Sequence, residues 1–329
     1  MILRGTDFGP ILDASGVRGF FGEGYRHHRL LGPLGPKFEG CTFVAKTTTL
    51  LPHQGNMPLG KDGITPAKWK PRCIKVYPIK GIILNADGLS GPGAEALIRR
   101  GQWQERTQPF FISFMSVGKT AEGRSAELAG FVSLLARHLP EFLAPVGLQI
   151  NFTCPNVDLD IDRLVQEVKA WLKIASALGI ALMPKFSVLS PVEVVKEVSD
   201  DPNCDAICVS NTIHWDDLPK VGIDRKRLFR KRLFCSDVSP LAKFGGGGLS
   251  GKPLLHSVVE WVSRAREAGI KKPINAGGGI FSPKDLWILR AVGANSVFIG
   301  SVATLRPWRV QKIIEKAYQL FKPSQNISG

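Results

Sequence analysis

Short apolar segments alternate with helix-patterned segments along almost the whole chain, and this alternation limits the possible folds most strongly. Eight apolar segments read as strands: PILDAS (10–15), CTFVAK (41–46), PFFISFMS (109–116), VGLQINF (146–152), IALMPKFS (180–187), DAICVSN (205–211), KPINAGG (272–278) and NSVFIG (295–300). Strands that are apolar on both faces are typical of a parallel sheet covered by helices. Eight strand–helix units predict a (β/α)8 TIM barrel, with a doubly wound open sheet as the alternative.

The segments between the strands carry the 3.6-residue apolar period of helices. Helices are predicted at 93–103, 125–139, 160–178, 191–199, 253–268, 282–292 and 302–321. Gly179 is the expected stop of the third helix, and Ser282 followed by Pro283 is the expected start of the sixth. We expect residues 1–329 to form a single domain, with an N-terminal extension and insertions at the C-terminal face of the barrel strands.

Charge and cysteine usage narrow the functional classes. The chain has 43 Lys plus Arg against 28 Asp plus Glu, a formal net charge of +15, which favours anionic ligands or partners without choosing among them. The six cysteines form no CxxC pair, so neither a metal cluster nor a disulfide framework is expected. The sequence has no signal-peptide pattern and no apolar run of about 18 residues, so we expect a cytoplasmic protein with no transmembrane span.

Polar side chains recur at or just after the C-terminal ends of several predicted strands. They are Lys46, Asn151, Cys154, Lys185, Asn211 and Thr212. In a barrel these strand ends meet at one mouth, where active sites lie, so residues far apart in sequence would share one site. Cys154 alone would be interpreted as a buried, inert thiol, but the asparagines at 151 and 156 favour a catalytic interpretation.

Glycine runs follow the last two predicted strands. NAGGGIFSPKD (275–285) and FIGSVATL (298–305) each lead from a strand into a helix, where backbone N–H groups favour an anion. A third run, FGGGGLSGKP (244–253), indicates a phosphate-bearing cofactor larger than a sugar phosphate. Tight turns alone are the alternative explanation. Lys185 would be costly inside the protein unless it meets negative charge or bends out to water.

Nine segments in order resemble the dihydroorotate dehydrogenase family, barrels that bind flavin mononucleotide (FMN) and include the catalytic domain of dihydropyrimidine dehydrogenase. They are ILDASG, VAKTTTLLPHQGN, NADGL, INFTCPN, MPKFS, VSNT, GGLSGKP, INAGGGI and FIGS. The resemblance covers nearly the whole chain. It implies FMN-dependent oxidation of a dihydropyrimidine, with dihydroorotate converted to orotate in pyrimidine biosynthesis.

The resemblance also implies roles for individual residues. The FMN contacts would be Ala14, Ser15, Gly16, Lys46, Thr47, Asn151, Lys185, Gly247, Gly248, Gly278, Gly279, Gly300 and Ser301. The substrate contacts would be Lys46, Asn85, Gly88, Leu89, Asn151, Asn156, Asn211 and Thr212. Cys154 and Lys46 would be the catalytic residues: Cys154 matches the base of the class 1 enzymes, and Lys46 matches the family's lysine beside flavin and substrate. A thiolate base requires nearby cations or donors that lower the pKa of the thiol.

Three features depart from the family pattern. The stretch GNMPLGKDG lacks the arginine that often follows the GN pair, and Asp87 occupies a position in NADGL that is usually apolar. After CPN the sequence continues directly as VDLDIDRL, without a longer Pro/Gly-rich lid. Because a carboxylate at 87 would repel a substrate carboxylate, an uncharged dihydropyrimidine such as dihydrouracil is an alternative substrate.

The partners are less constrained than the chemistry. The segment KVGIDRKRLFRKRL (220–233) is strongly basic, which fits a solvated surface, an acidic electron-transfer partner or anionic lipid. Nucleic acid is disfavoured because no RNA-binding motif or zinc pattern accompanies it. The second electron acceptor stays open, and a homodimer is possible because class 1 relatives often pair. A non-catalytic flavin-binding or interaction protein and a flavin-free phosphate-binding barrel are the remaining alternatives.

Overall fold

Seven strands lie side by side in one parallel sheet that curls into the wall of a barrel. The structure is a computed structural model, and it describes residues 1–152, 161–229 and 237–321. Its strands in chain order are β1 (Ile2–Leu3), β2 (Thr6–Asp7), β3 (Ile11–Asp13), β4 (Ile74–Tyr77), β5 (Ile82–Asn85), β6 (Phe110–Phe114), β7 (Val146–Asn151), β8 (Ala181–Phe186), β9 (Ile207–Val209), β10 (Ile213–His214), β11 (Gly248–Gly251), β12 (Ile274–Gly277) and β13 (Ser296–Ile299). The wall has the order β3-β13-β12-β9-β8-β7-β6.

The segment 42–48 closes the gap between the two edge strands. It makes parallel bridges to β3 on one side, at Leu12, and to β6 on the other, at Phe111 and Phe114. The eight-part barrel predicted from sequence is therefore confirmed, but the expected strand at 41–46 consists of isolated bridges. One reason is local: the backbone N–H of Val44 donates to the buried Asp13 carboxylate instead of to a strand carbonyl. Arg18 in turn pairs with that carboxylate.

Apolar side chains fill the barrel at the N-terminal ends of its strands. The β1–β2 hairpin brings Leu3 and Phe8 beneath the barrel, where they pack with Leu12 and Phe111 in one buried cluster. The rings of Phe8 and Phe111 lie 4.4 Å apart between centroids. This cluster fills one end of the barrel, and the cavity formed by the described residues opens at the opposite mouth.

Most helices in the described residues cover the outside of the barrel, and the two short helices at Arg26–Leu30 and Arg225–Phe229 lie at its mouth. The helices are α1 (Arg26–Leu30), α2 (Ala94–Ile98), α3 (Ala121–His138), α4 (Ile161–Ser176), α5 (Val192–Ser199), α6 (Arg225–Phe229), α7 (Leu254–Glu267), α8 (Pro283–Ala291), α9 (Ser301–Leu305) and α10 (Val310–Leu320). The capping box expected at the start of α8 is present between Ser282 and Asp285. The helix predicted at 302–321 is interrupted by a 3-10 turn at Pro307–Arg309, because proline lacks the N–H that a continuous helix requires.

A second, antiparallel sheet lies over the C-terminal ends of the wall strands. Its order is β10-β11-β5-β4, and it pairs Gly248 with Asn85. The sheet confirms the insertions expected at this face. Gly251 belongs to it, and a Cβ there would lie 2.1 Å from the carbonyl oxygen of Gly81, so only glycine fits. Among the described residues, no helix is long and apolar enough to cross a membrane.

Candidate active site

One large cavity, about 1370 Å3, opens between the wall of the barrel and the antiparallel sheet at its mouth. Most residues that the sequence singled out line this cavity: Ala14, Ser15, Gly16, Lys46, Thr47, Asn85, Gly88, Leu89, Asn151, Lys185, Asn211, Thr212, Gly278, Gly279, Gly300 and Ser301. Gly247 and Gly248 do not line it, and Gly248 is part of β11. Cys154 and Asn156 lie outside the described residues.

A buried network of hydroxyl and amide groups forms the floor of the cavity. Asn151, the last residue of β7, donates from Nδ2 to Thr47 Oγ1 at 2.8 Å and to Ser113 Oγ at 3.0 Å. Ser15 Oγ lies 2.8 Å from the same Thr47 oxygen. The other amide atom, Asn151 Oδ1, is buried and has no hydrogen-bond partner among the described residues. A buried acceptor left unpaired is costly, so this oxygen is available to an N–H group of a ligand.

Lys185 at the end of β8 is a buried cation beside this network. The residue is only 6% exposed, and its Nζ lies 5.2 Å from the centroid of the Phe298 ring. Burial lowers the pKa of Lys185. Its neighbour Cys208 offers no counter-charge at neutral pH, because burial raises the pKa of that thiol to about 12. The described residues supply no carboxylate for Lys185, which therefore fits a ligand with negative charge.

Glycines at the ends of β12 and β13 bring backbone to the surface of the cavity. Gly278 and Gly279 have φ values of 129° and 81°, which favour glycine. A Cβ on Gly279 would lie 2.5 Å from the backbone nitrogen of Leu255, so a side chain cannot be added without displacing the main chain. Nearby, Ser301 Oγ lies 2.9 Å from Ser250 Oγ. The arrangement fits a phosphate group held by backbone and hydroxyl donors.

An ion pair occupies the side of the cavity next to the mouth sheet. Lys46 Nζ lies 3.0 Å from Asp87 Oδ2, and both side chains line the cavity. The stem of Lys46 also lies close to Gly16, where an added Cβ would come within 3.5 Å of Lys46 Cγ. The lysine assigned to flavin and substrate therefore already has a carboxylate partner from its own chain.

The rim of the cavity contains residues that the sequence analysis did not identify. Tyr25 donates to Gly16 O at 2.5 Å, and its ring stacks on that of His27 at 5.7 Å. Burial raises the pKa of Tyr25, with a further contribution from Asp87. Cationic and aromatic side chains complete the rim: Arg26, Lys68, Trp69, Lys70, Arg72 and Lys75. No sequence motif identified these rim residues, although the cluster of lysines and arginine at 68–75 can be seen in the sequence.

Two serines of the site were hidden within other patterns. Ser113 is the single polar residue of β6, and it bonds Asn151, yet PFFISFMS read only as a buried strand. Ser250 lay inside the third glycine run. A polar residue at an inward position near the C-terminal end of an apolar strand is the signal that could have found Ser113.

The closed barrel, with a polar cavity at the C-terminal ends of its strands, defines a (β/α)8-barrel enzyme class. Comparison with known families narrows this class: the family model described as dihydroorotate dehydrogenase matches residues 3–320. The chain belongs to the dihydroorotate dehydrogenase family, a family of oxidoreductases.

Individual relatives agree with that assignment. The chain is similar to the catalytic subunit of dihydroorotate dehydrogenase B (NAD(+)) from Thermoanaerobacter pseudethanolicus, with 26% identity over 97% of this chain and 92% of the relative. The same subunit from Pelobacter propionicus is 29% identical, over 93% of this chain and 87% of the relative. The solved structure of DHODH from Eimeria tenella in complex with ferulenol superposes with a TM-score of 0.65 at 18% identity, covering 96% of this chain and 82% of that one. That likeness supports the fold.

Proposed function

We propose that the chain oxidises a dihydropyrimidine, with FMN as the hydride acceptor. The single observation that carries the proposal is that Lys185, Asn151 and the Gly278–Gly279 backbone line one cavity. The family reaction, dihydroorotate to orotate, is the first candidate, since relatives are named for it. A neutral dihydropyrimidine is the second, favoured by the position of Asp87 in the same cavity.

The residues present fit FMN. Lys185 is buried and has no carboxylate partner among the described residues. Its positive charge is therefore available to the electron-rich pyrimidine edge of a reduced flavin. Gly278, Gly279, Gly300 and Ser301 would hold the phosphate, and Ala14, Ser15 and Gly16 would lie along the ring. Gly247 and Gly248 are the weakest of the proposed contacts, because they lie outside the lining of the cavity.

The reaction separates one proton and one hydride. The substrate loses a proton from one ring carbon and a hydride from its neighbour, and a double bond forms between the two carbons. FMN, when bound, would supply the acceptor for the hydride and its electron pair. Cys154, in its thiolate form, accepts the proton, by analogy with the class 1 enzymes. Asn85, Asn151, Asn156, Asn211 and Thr212 hold the ring through its N–H and C=O groups, because an amide offers both a donor and an acceptor.

The electrons must then leave the flavin. The relatives' names describe a catalytic subunit of an NAD(+)-linked enzyme, and we propose that this chain likewise passes electrons to a partner subunit. Within the basic segment, α6 (Arg225–Phe229) lies beside the mouth sheet, where Lys80 Nζ donates to Leu228 O at 2.5 Å. Its charge fits an acidic partner.

Anaerobic mixing of the purified, flavin-loaded protein with dihydroorotate or dihydrouracil tests the proposal. Loss of the yellow flavin absorbance with either compound supports it, and no loss with any dihydropyrimidine refutes it. Cys154→Ala should keep the flavin and reduce the rate of bleaching by about 100-fold or more, the usual scale of general base catalysis. Cys204→Ala is the matched control, because this buried thiol lies outside the cavity and the rate should not change.

A further inference from the structure

Asp87 is the one carboxylate that lines the cavity within the described parts of the chain. Its Oδ2 pairs with Lys46, and its Oδ1 is buried without a hydrogen-bond partner among the described residues. A buried, unpaired carboxylate oxygen is costly unless a donor reaches it. A ligand that occupies this part of the cavity is therefore favoured if it presents an N–H group there, and disfavoured if it presents an anion.

Hydrogen bonds fix the main chain at Asp87, which lines the cavity. Its N–H donates to Asn85 Oδ1 at 2.7 Å, and its carbonyl accepts from the backbone N–H of Asn56 at 2.7 Å. Ser90 Oγ donates to the same carbonyl at 3.1 Å. Gly55 packs against this carbonyl so closely that a Cβ there would come within 2.6 Å of it. This network fixes the main chain at Asp87, and the ion pair with Lys46 fixes the direction of its carboxylate.

Lys46 is already engaged by groups of its own chain. Its ammonium donates to Ser90 O at 2.5 Å, pairs with Asp87 at 3.0 Å and lies 5.0 Å from the centroid of the Phe20 ring. An ammonium group has three donors, and these contacts use the charge that would otherwise meet a substrate carboxylate. The rim cations do not replace it, because Lys68, Lys70 and Arg72 are at least partly exposed to solvent, which screens their charge.

We propose that Asp87 determines substrate specificity: it neutralises Lys46 and excludes a carboxylate from the pyrimidine ring, so that the site selects an uncharged dihydropyrimidine over dihydroorotate. This inference rests on the proposed function, because it assumes that a pyrimidine occupies the cavity. It narrows the substrate to a ring without an acidic substituent. The discrimination acts through repulsion of the wrong ligand, a common source of specificity.

Binding of the product rings tests the inference without requiring turnover. Calorimetric titration of the flavin-loaded protein with uracil and with orotate gives two dissociation constants for the wild type and for Asp87→Asn. We expect the wild type to bind uracil more tightly, and we expect Asp87→Asn to shift the ratio towards orotate by about tenfold or more, since like charges in contact are strongly unfavourable. Glu95→Gln removes an exposed helix carboxylate away from the cavity and should leave the ratio unchanged.

The outcomes separate the two proposals. If the wild type binds orotate more tightly than uracil, or if Asp87→Asn leaves the ratio unaltered, the role of Asp87 is refuted. Binding of neither ring by either protein refutes it as well. Failure of every dihydropyrimidine to bleach the flavin, with the uracil preference present and shifted towards orotate by Asp87→Asn, would refute the oxidation reaction and retain Asp87 as the selecting residue.

Discussion

Asn151 Nδ2 lies 2.8 Å from Thr47 Oγ1, and this hydrogen bond joins the end of β7 to the segment that closes the barrel. The two residues are far apart in sequence and do not lie on adjacent wall segments, because β6 runs between them. Ser113 of β6 completes the link, at 3.0 Å from both side chains. The orientation of the free Asn151 Oδ1 therefore depends on three wall segments at once.

Replacement of Thr47 tests this network. Thr47→Val keeps the shape but leaves the Asn151 amide and the Ser15 hydroxyl without their shared partner. The free energy of unfolding should fall by about 1–3 kcal/mol, because hydrogen bonds worth about 0.5–1.5 kcal/mol each are lost while Asn151 keeps Ser113 and Ser15 keeps the Ala45 carbonyl as partners, and flavin should bind more weakly. Urea denaturation and the fluorescence of released flavin measure the two effects. Thr49→Val, which removes a hydroxyl outside the cavity, should not weaken flavin binding.

Lys185 should have opposite effects on the protein with and without flavin. Lys185→Met removes a buried cation whose pKa is lowered by burial, so the flavin-free protein should become more stable at neutral pH. The same change removes the positive charge proposed to hold the reduced flavin, so the reduced cofactor should bind more weakly and the flavin midpoint potential should fall. Denaturation measures the expected rise in the stability of the flavin-free protein, and potentiometric titration measures the expected fall in the flavin midpoint potential. Lys173→Met, at an exposed position, is the control. If the two variants have the same flavin midpoint potential, the proposed contact between Lys185 and the flavin is wrong.

Gly279 tests the glycine cradle. Gly279→Ala adds a Cβ that would lie 2.5 Å from the backbone nitrogen of Leu255, at a φ of 81°. We expect loss of bound flavin together with a lower melting temperature. Gly179→Ala is the control, because Gly179 has a φ of 66° and an added Cβ meets nothing within 4 Å. The free energy of unfolding of that variant should fall by about 1–2 kcal/mol, because alanine is strained at a positive φ, and the variant should retain flavin. Equal flavin content in both variants would argue against the cradle.

His28 should make stability depend on mildly acidic pH. Burial, followed by the nearby His27, lowers the pKa of His28 to about 3. The unfolded chain binds a proton near pH 6.5 and the folded chain does not, so the free energy of unfolding should decrease as the pH falls from about 6.5 towards 3. His28→Gln should flatten this dependence between pH 6.5 and 5, measured by urea denaturation at each pH. The exposed His256→Gln should retain the wild-type slope.

The barrel was predictable from sequence because parallel strands must be apolar on both faces, and the last two glycine runs mark strand ends by simple stereochemistry. The sheet at the mouth was not predictable. Its β11 lies in a glycine run that the sequence analysis interpreted as a phosphate loop, and its strands are too short for a clear alternation. The expected strand at 41–46 consists of isolated bridges, because the Asp13 carboxylate accepts the backbone N–H of Val44, which a regular strand would pair with a neighbouring carbonyl.

The sequence predicted many of the residues that line the candidate site, but it did not predict which of their side chains contact one another. Residues at strand ends were identified because a barrel collects them at one mouth. The pairing of Lys46 with Asp87 depends on side-chain conformations that the sequence does not determine, and so does the lack of a partner for Asn151 Oδ1 among the described residues. The single domain at 1–329, the homodimer and the cytoplasmic setting stay predictions.

The mouth sheet has a consequence for how the protein matures. Its central strands, β5 and β11, come from opposite halves of the chain, so Asn85 cannot meet Gly248 until most of the polypeptide has left the ribosome. The loop that carries Asp87 directly follows β5 and shares this dependence. A nascent chain interrupted before β11 would lack β12 and β13 of the wall as well as the mouth sheet, and we expect such fragments to capture no cofactor.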